Sequence, residues 1–321
     1  MSVNKPYKQR ITHRPQCCSL WFRMVVASLL ILLSSSTAIA DETILLVHDG
    51  KNELTQDIIF SLSQYLTTKS IPIDLLDVSD QALPDNLVLK NYTTLLTLGP
   101  QAAEITLERN PPAPVLSLLV TGQSWQLLKQ AKSLYPRSAI LLDQPVSRQI
   151  QLIRAIENDE TQIGVLLGPY SSQLETQLTD TSKQLQQSVT IKTIQNADEL
   201  IPALNGLIEQ VNYLLAEPDS VVYNKRTIQG ILLLTYRNKT PVIGFSQAYS
   251  RAGAMVSLYS DADDITRQAA EIIFDKPATD RTYSPKYFSI TYNQQVARTL
   301  GYNLPDEKEL IKTITLKEKS H

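Results

Sequence analysis

Residues 139–169 read AILLDQPVSRQIQLIRAIENDETQIGVLLGP, and a strand, a seam, a helix and a second strand follow one another within them. Residues 139–143 form a continuous apolar run that ends in an acid. Asp143-Gln144-Pro145 breaks the run, with the proline placed to open the next helix. Over residues 147–157, Ile150, Ile153 and Ile156 recur at helical spacing. Residues 163–167 are again continuously apolar. Runs of this kind, rather than alternating ones, belong to strands buried on both faces of a parallel sheet.

The same exchange runs along the chain in both directions. Residues 44–48, 73–78, 95–98, 115–120, 189–194, 213–216, 242–246 and 255–259 read as further strands. Residues 56–69 (Ile58, Ile59, Leu62, Tyr65, Leu66) and 264–274 (Ile265, Ala269, Ile272, Ile273) read as helices with one apolar face. Strands alternating with helices predict an α/β fold of βαβ units with parallel, doubly wound sheets. Ten strands exceed one such lobe, so two Rossmann-like lobes are expected. The first takes residues 41–143 and 253–282, the second 144–252 and 283–305, and residues 306–321 are left as a tail. No internal sequence repeat is visible.

The first forty residues form a separate segment. Arg14 and Arg23 precede an apolar run from Met24 to Leu33, and small residues lead to Ala38-Ile39-Ala40 before Asp41. A cationic start, a short apolar stretch and an A-x-A end are the layout of a cleaved secretory signal peptide. The run is shorter than the roughly 20 residues a spanning helix needs. Export to the periplasm is therefore expected. Five of the 30 basic residues lie in this leader, which has no acids, leaving 25 basic against 32 acidic side chains and a net charge near −7. Nucleic acid is a poor partner for that balance. Both cysteines, Cys17 and Cys18, are also in the leader. They precede the apolar run, so no lipid anchor is expected, and the mature chain has no disulfide or thiolate site.

Several motifs resemble one bacterial family. Asp143-Gln144-Pro145 with Arg148-Gln149 and Leu152-Ile153 is similar to a conserved-spacing segment of the substrate-binding proteins of ABC transporters, in the group related to tryptophan and tyrosine binders. So are Ile163 to Pro169, Pro218-Asp219, Val222-Tyr223-Asn224, Thr227-Ile228-Gln229, Pro241 to Ser246, Arg251 to Ala254 and Arg267-Gln268. The tail Tyr292-Asn293, Val296-Ala297-Arg298, Leu300-Gly301 and Leu304-Pro305 completes the resemblance, which covers residues 143–305. His48-Asp49-Gly50 departs from the amino-acid binders. The resemblance implies a type I periplasmic binding protein architecture with a ligand cleft between lobes. It implies capture of a small polar or amphipathic solute, of amino-acid-like class, by hinge closure and delivery to an inner-membrane ABC permease. It implies a monomer with no metal, nucleotide or redox cofactor. The alternative is a periplasmic ligand-sensing or partner protein of a membrane signalling receptor.

Ligands of open α/β sheets bind outside the carboxyl ends of the strands, which selects the candidate residues. His48, Asp49, Gly99, Pro100 and Thr121 follow strands of the first lobe; Tyr170, Asp219, Tyr223, Ser246 and Tyr249 follow strands of the second. Gly99-Pro100 either lets the backbone approach a ligand or is an ordinary strand-to-helix turn. Tyr170 offers a stacking face or packs as lobe surface. Asp219 can receive an ammonium group by charge-assisted hydrogen bonds or shape the turn after Pro218. Asp143, Gln144, Pro145 and Arg251 are the candidate hinge; Arg148 either fixes a ligand carboxylate or, the favoured reading, holds the hinge by pairing with Asp143. Catalysis is not expected. The mature histidines are His48 and His321, the chain has no H-E-x-x-H or P-loop, and Gly122-Gln123-Ser124-Trp125-Gln126 lacks the last glycine of a nucleophile elbow.

Overall fold

The computed structural model describes Met1 and residues 43–319, apart from positions 51, 131–132, 158–160 and 277–278. The expected signal peptide and its two cysteines lie outside the described residues. Among the described residues the strands are β1 (Ile44–His48), β2 (Ile73–Asp77), β3 (Thr94–Leu98), β4 (Val115–Val120), β5 (Arg137–Leu141) and β6 (Ile163–Leu167). They continue with β7 (Val189–Thr193), β8 (Tyr213–Leu215), β9 (Val242–Gly244), β10 (Val256–Tyr259), β11 (Thr282–Tyr283) and β12 (Ser289–Tyr292). The helices are α1 (Glu53–Thr68), α2 (Asn86–Leu89), α3 (Pro100–Glu108), α4 (Gly122–Leu128), α5 (Val146–Ile156) and α6 (Leu174–Gln184). After these come α7 (Leu200–Ile208), α8 (Ile228–Arg237), α9 (Gln247–Ala252), α10 (Ala262–Asp275), α11 (Gln294–Leu300) and α12 (Glu307–Glu318).

Two six-stranded sheets result, ordered β2-β1-β3-β4-β5-β11 and β7-β6-β8-β9-β10-β12. Each is a 2-1-3-4-5 doubly wound sheet with one added edge strand, so the topology repeats where the sequence does not. The added strand is parallel in the first sheet and antiparallel in the second. The continuous apolar strands follow from helices on both faces. In β1, Ile44 and Leu46 join the core beneath α1 and α10, whereas Leu45 and Val47 join Ala102, Ala103, Leu107 and Trp125 on the other face. In β6, Val165 and Leu167 face α5 and α12, and Leu166 faces α7 and α8.

The chain passes between sheets three times, at residues 142–145, 260–261 and 284–288, and polar side chains tie the passages together. The Gln144 amide donates to Ser260 Oγ at 3.0 Å, and Ser260 Oγ donates to the Tyr287 carbonyl at 2.8 Å. Arg148 Nη1 donates to Gln144 Oε1 at 2.8 Å and to the Pro285 carbonyl at 2.9 Å. Its other nitrogens form a bidentate pair with Glu318 at 2.7 and 3.0 Å, and its guanidinium lies over the Phe288 ring at 4.3 Å.

Three expectations change here. The return to the first lobe falls at Ser260-Asp261 rather than Gly253, because β10 hydrogen-bonds to β9 and stays in the second sheet. Gly253 closes α9 with φ +127, a helix end that reads like a boundary. Residues 306–318 are not a tail, since Leu310 and Ile314 of α12 are buried in the second lobe's core. Arg148 pairs with Glu318 instead of Asp143, whose carboxylate is taken by a backbone N–H (below).

Candidate ligand cleft

The carboxyl ends of both sheets face a cleft with two compartments. The hinge-side cavity, about 490 Å³, has one wall from Glu53, Asp57, Thr121 and Leu142 of the first lobe. Its other wall carries Gln149, Pro218, Phe245, Ser246 and Arg251, and its floor holds the crossing residues Asp143, Gln144 and Ser260. The mouth-side cavity, about 510 Å³, shares Thr121, Pro218 and Phe245 and adds Tyr170, Asp219 and Tyr223. A separate apolar cavity of about 360 Å³ lies at the amino ends of β1, β3 and β4, away from this cleft.

Of the candidate ligand residues, the structure brings Thr121, Tyr170, Asp219, Tyr223 and Ser246 to these cavities. His48, Asp49, Gly99, Pro100 and Tyr249 line neither. His48 is buried at the end of β1 with Nδ1 3.8 Å from Asp77 Oδ2. Tyr249 packs behind the wall, its ring 4.3 Å from Phe245 and 6.2 Å from Tyr223, and burial raises its phenol above the ordinary value. Of the hinge candidates, Asp143 and Gln144 lie in a crossing and Pro145 begins α5. Arg251 sits on α9, outside every crossing, and reaches the hinge-side cavity.

Helix N-termini at strand ends attract anions because their first N–H groups lack intrahelical partners. Aspartates already hold several such N–H groups, whereas α9 starts at Ser246 on the hinge-side cavity with no side-chain cap. Asp49 accepts from Gln101 N at 3.0 Å and Ala102 N at 3.4 Å, capping α3. Asp143 accepts from Gly122 N at 2.6 Å, at the start of α4. Asp219 accepts from Tyr170 N and Ser171 Oγ, and its other oxygen accepts from Val221 N and Val222 N. Glycine permits two of these approaches: a Cβ on Gly99 would lie 2.5 Å from Asp49, and one on Gly168 would lie 2.4 Å from Asp219. With all these bonds made, Asp219 is a turn-building carboxylate rather than an open receptor for ammonium.

The residues missed in the sequence lie deeper. Glu217, between β8 and Pro218, is 2% exposed, and its Oε1 has no hydrogen-bond partner. Burial pushes its carboxyl up to about 8; Gln149 opposes this by hydrogen bonding, and Asp143 reinforces it by its charge. Burial likewise raises Asp143, against its bond from Gly122. Gln149, on the first turn of α5, is 4% exposed and lines the hinge-side cavity with Oε1 unpartnered. The Tyr223 hydroxyl is also buried without a partner, and burial, followed by the charges of Tyr249, Glu217 and Asp219, raises its titration. Phe245, missed as well, offers a ring to both compartments.

Two 2-1-3-4-5 lobes, three tied crossings and a cleft at the carboxyl ends define the type I periplasmic binding protein fold. Residues 68–276 match the ABC transporter substrate binding protein family, and the chain belongs to that family. No curated protein matches the sequence. Among solved structures, the fold is similar to the ligand-free, open form of a substrate binding protein with adhesive properties from Clostridium difficile (TM-score 0.63, 14% identity, 83% of this chain and 97% of that one). It is also similar to an ABC domain from Streptococcus pneumonia in complex with L-Trp (TM-score 0.54, 14% identity, 84% and 98%). A conserved domain protein from Vibrio cholerae gives TM-score 0.55 at 18% identity, over 83% and 96%. Solute binding is the role of the family, and among the described residues no helix is long and apolar enough to cross a membrane.

Proposed function

We propose that this protein is a periplasmic solute-binding component of an ABC importer that captures a small ligand between its lobes and presents the closed form to a membrane permease. The observation that carries the reading is a cleft lined by both lobes directly above three crossings tied through Gln144, Arg148 and Ser260. Hinge closure around a ligand is a recognised motion of such receptors. The protein does no chemistry on its solute, in keeping with its family. The leader supports export, with the mature chain beginning at Asp41.

The test is a thermal-shift screen of the full chain recovered after export, unfolded and refolded to remove carried solute, against amino acids, sugars, nucleosides, amines and carboxylates. A solute at 100 times its dissociation constant should stabilise by about 2.7 kcal/mol, a shift of several degrees for a chain of this size. A well-folded preparation that answers to no solute removes the reading. Amino-terminal sequencing of the exported protein should begin at Asp41, and an intact leader would refute cleavage there.

A further inference from the structure

The second lobe carries an apolar groove edged by cations on its outer side. The groove, about 260 Å³, runs between α8, the end of α9 and α11, and shares no residue with either compartment of the cleft. Leu233 and Tyr236 stand one helical turn apart on its rim, 51% and 42% exposed, and Ala252 and Val296 help to line it. Arg237 and Lys239 follow Tyr236 at the end of α8. Arg298 lies in the last turn of α11, two residues after Val296. All three basic residues are exposed, and among the described residues no acid forms an ion pair with any of them.

The sequence around the groove is one-signed. Residues 220–260 and 290–305 hold six basic side chains and none of the 32 acids. The acids that bound the first stretch are occupied: Asp219 is buried in its turn and Asp261 caps α10. A cation in the last turn of a helix is ordinarily a partner for the helix dipole. That accounts for Arg237 and Arg298 singly. It does not account for the exposed leucine and tyrosine beside them, or for two stretches without an acid.

We propose that this face docks on an anionic phospholipid bilayer, with Leu233 and Tyr236 entering the headgroup layer and Arg237, Lys239 and Arg298 meeting lipid phosphates. This goes beyond the solute-binding reading and does not depend on it. Leucine supplies apolar area and tyrosine an amphipathic ring, a pairing suited to a membrane interface. Arginine and lysine lay their stems on apolar surface while the charged heads reach phosphate. The net charge near −7 of the mature chain does not oppose docking. At physiological salt a charge is felt over about 8 Å, so the bilayer meets the basic face and not the acids elsewhere. An acidic protein would answer the cations alone; a bilayer offers phosphate and hydrocarbon in successive layers.

The experiment is flotation of the full chain, recovered after export, with vesicles of phosphatidylcholine alone or mixed with phosphatidylglycerol. The protein should float with the mixed vesicles and not with the neutral ones, and added salt should release it. R237Q/K239Q/R298Q should bind the mixed vesicles at least about tenfold more weakly. K308Q/K312Q/K317Q removes the same charge from exposed lysines of α12 and should bind as the parent does. L233S should weaken binding several-fold with every charge kept. Melting temperatures close to the parent's show that the variants are folded, and L233S, at an exposed position, supplies a second arm if the triple variant is not. Parental binding by R237Q/K239Q/R298Q or by L233S overturns the proposal, as does an equal loss in the α12 variant or equal binding to neutral vesicles. No binding to either vesicle also overturns it, and retention on poly-L-glutamate in that case reassigns the face to an acidic protein.

Discussion

Glu217 connects stability to pH. Unfolded, it titrates near the ordinary value of 4.5; folded, near 8. Between these values the folded chain holds a proton that the unfolded chain has lost. Stability from this group is therefore complete below about pH 4.5 and falls as pH rises through 8. Asp143, also raised by burial, adds to the slope in the same direction. The total loss is on the order of a few kcal/mol. E217Q removes the titrating proton while keeping the shape, so its melting temperature at pH 8.5 should exceed the parent's by several degrees. The two should converge near pH 5. Parallel melting curves across that range would contradict the buried, protonated state. Asp219 shows the opposite arrangement, a carboxylate with donors on both oxygens. In Gly168→Ala the new Cβ would displace it, freeing the N–H groups of Tyr170, Val221 and Val222 and the Ser171 hydroxyl. A loss of about 1–3 kcal/mol is expected from bonds left unmade in a half-buried turn, read by urea denaturation. Sequence reading found Asp219 because it follows a strand at the carboxyl end of the sheet, as a receptor for ammonium or as the aspartate shaping the turn after Pro218, and the bonds it makes are those of the turn. It passed over Glu217, whose importance comes from what fails to reach its Oε1, and no residue spacing encodes a missing partner.

At the level of elements, the strands were the most legible part of the chain. All ten runs read as strands are strands; eight are continuous because the sheets cover them on both faces, whereas β2 and β7, at the sheet edges, keep polar and exposed positions. β11 and β12 were not legible. β11 is two residues long, and β12 is an edge strand in which only Ile290 is fully buried. The crossings were partly legible. Asp143-Gln144-Pro145 marks the first, but the second comes after β10 without glycine or proline, and Gly253 drew attention to the wrong turn. The role of α12 was hidden because its apolar positions are sparse; Leu310 and Ile314 are its buried residues. The helix matters through Glu318 as well. Arg148 is 4% exposed, and Glu318→Ala would leave its guanidinium with carbonyl partners but no counter-charge. Removing one partner of a buried pair is far more costly than losing a surface bridge. Because Glu318 is partly solvated, about 1–3 kcal/mol is expected. A change below 0.5 kcal/mol in urea melts would show that α12 docks through Leu310 and Ile314 alone.

For the whole molecule, the question is what favours closure once a ligand is seated. The crossings hold the lobes by a small, well-bonded seam, so the preference must come from groups that meet across the cleft. Glu53 and Asp57 on α1 and Arg251 on α9 stand on opposite walls of the hinge-side cavity. All three are exposed. Closing the cleft brings the guanidinium toward both acids and removes water from between them, which strengthens an attraction that is weak at an exposed surface. In R251E the same movement opposes three carboxylates. The dissociation constant of the tightest-binding solute should rise roughly three- to tenfold, a population shift of about 1 kcal/mol. Small-angle scattering at saturating solute should show a larger mean radius than the parent gives. Screening shortens the reach of exposed charges to about 3 Å at 1 M salt, so the difference between R251E and the parent should shrink as salt is added. If R251E lost affinity equally at every salt concentration, Arg251 would be touching the solute itself, and closure would have to be driven from the seam.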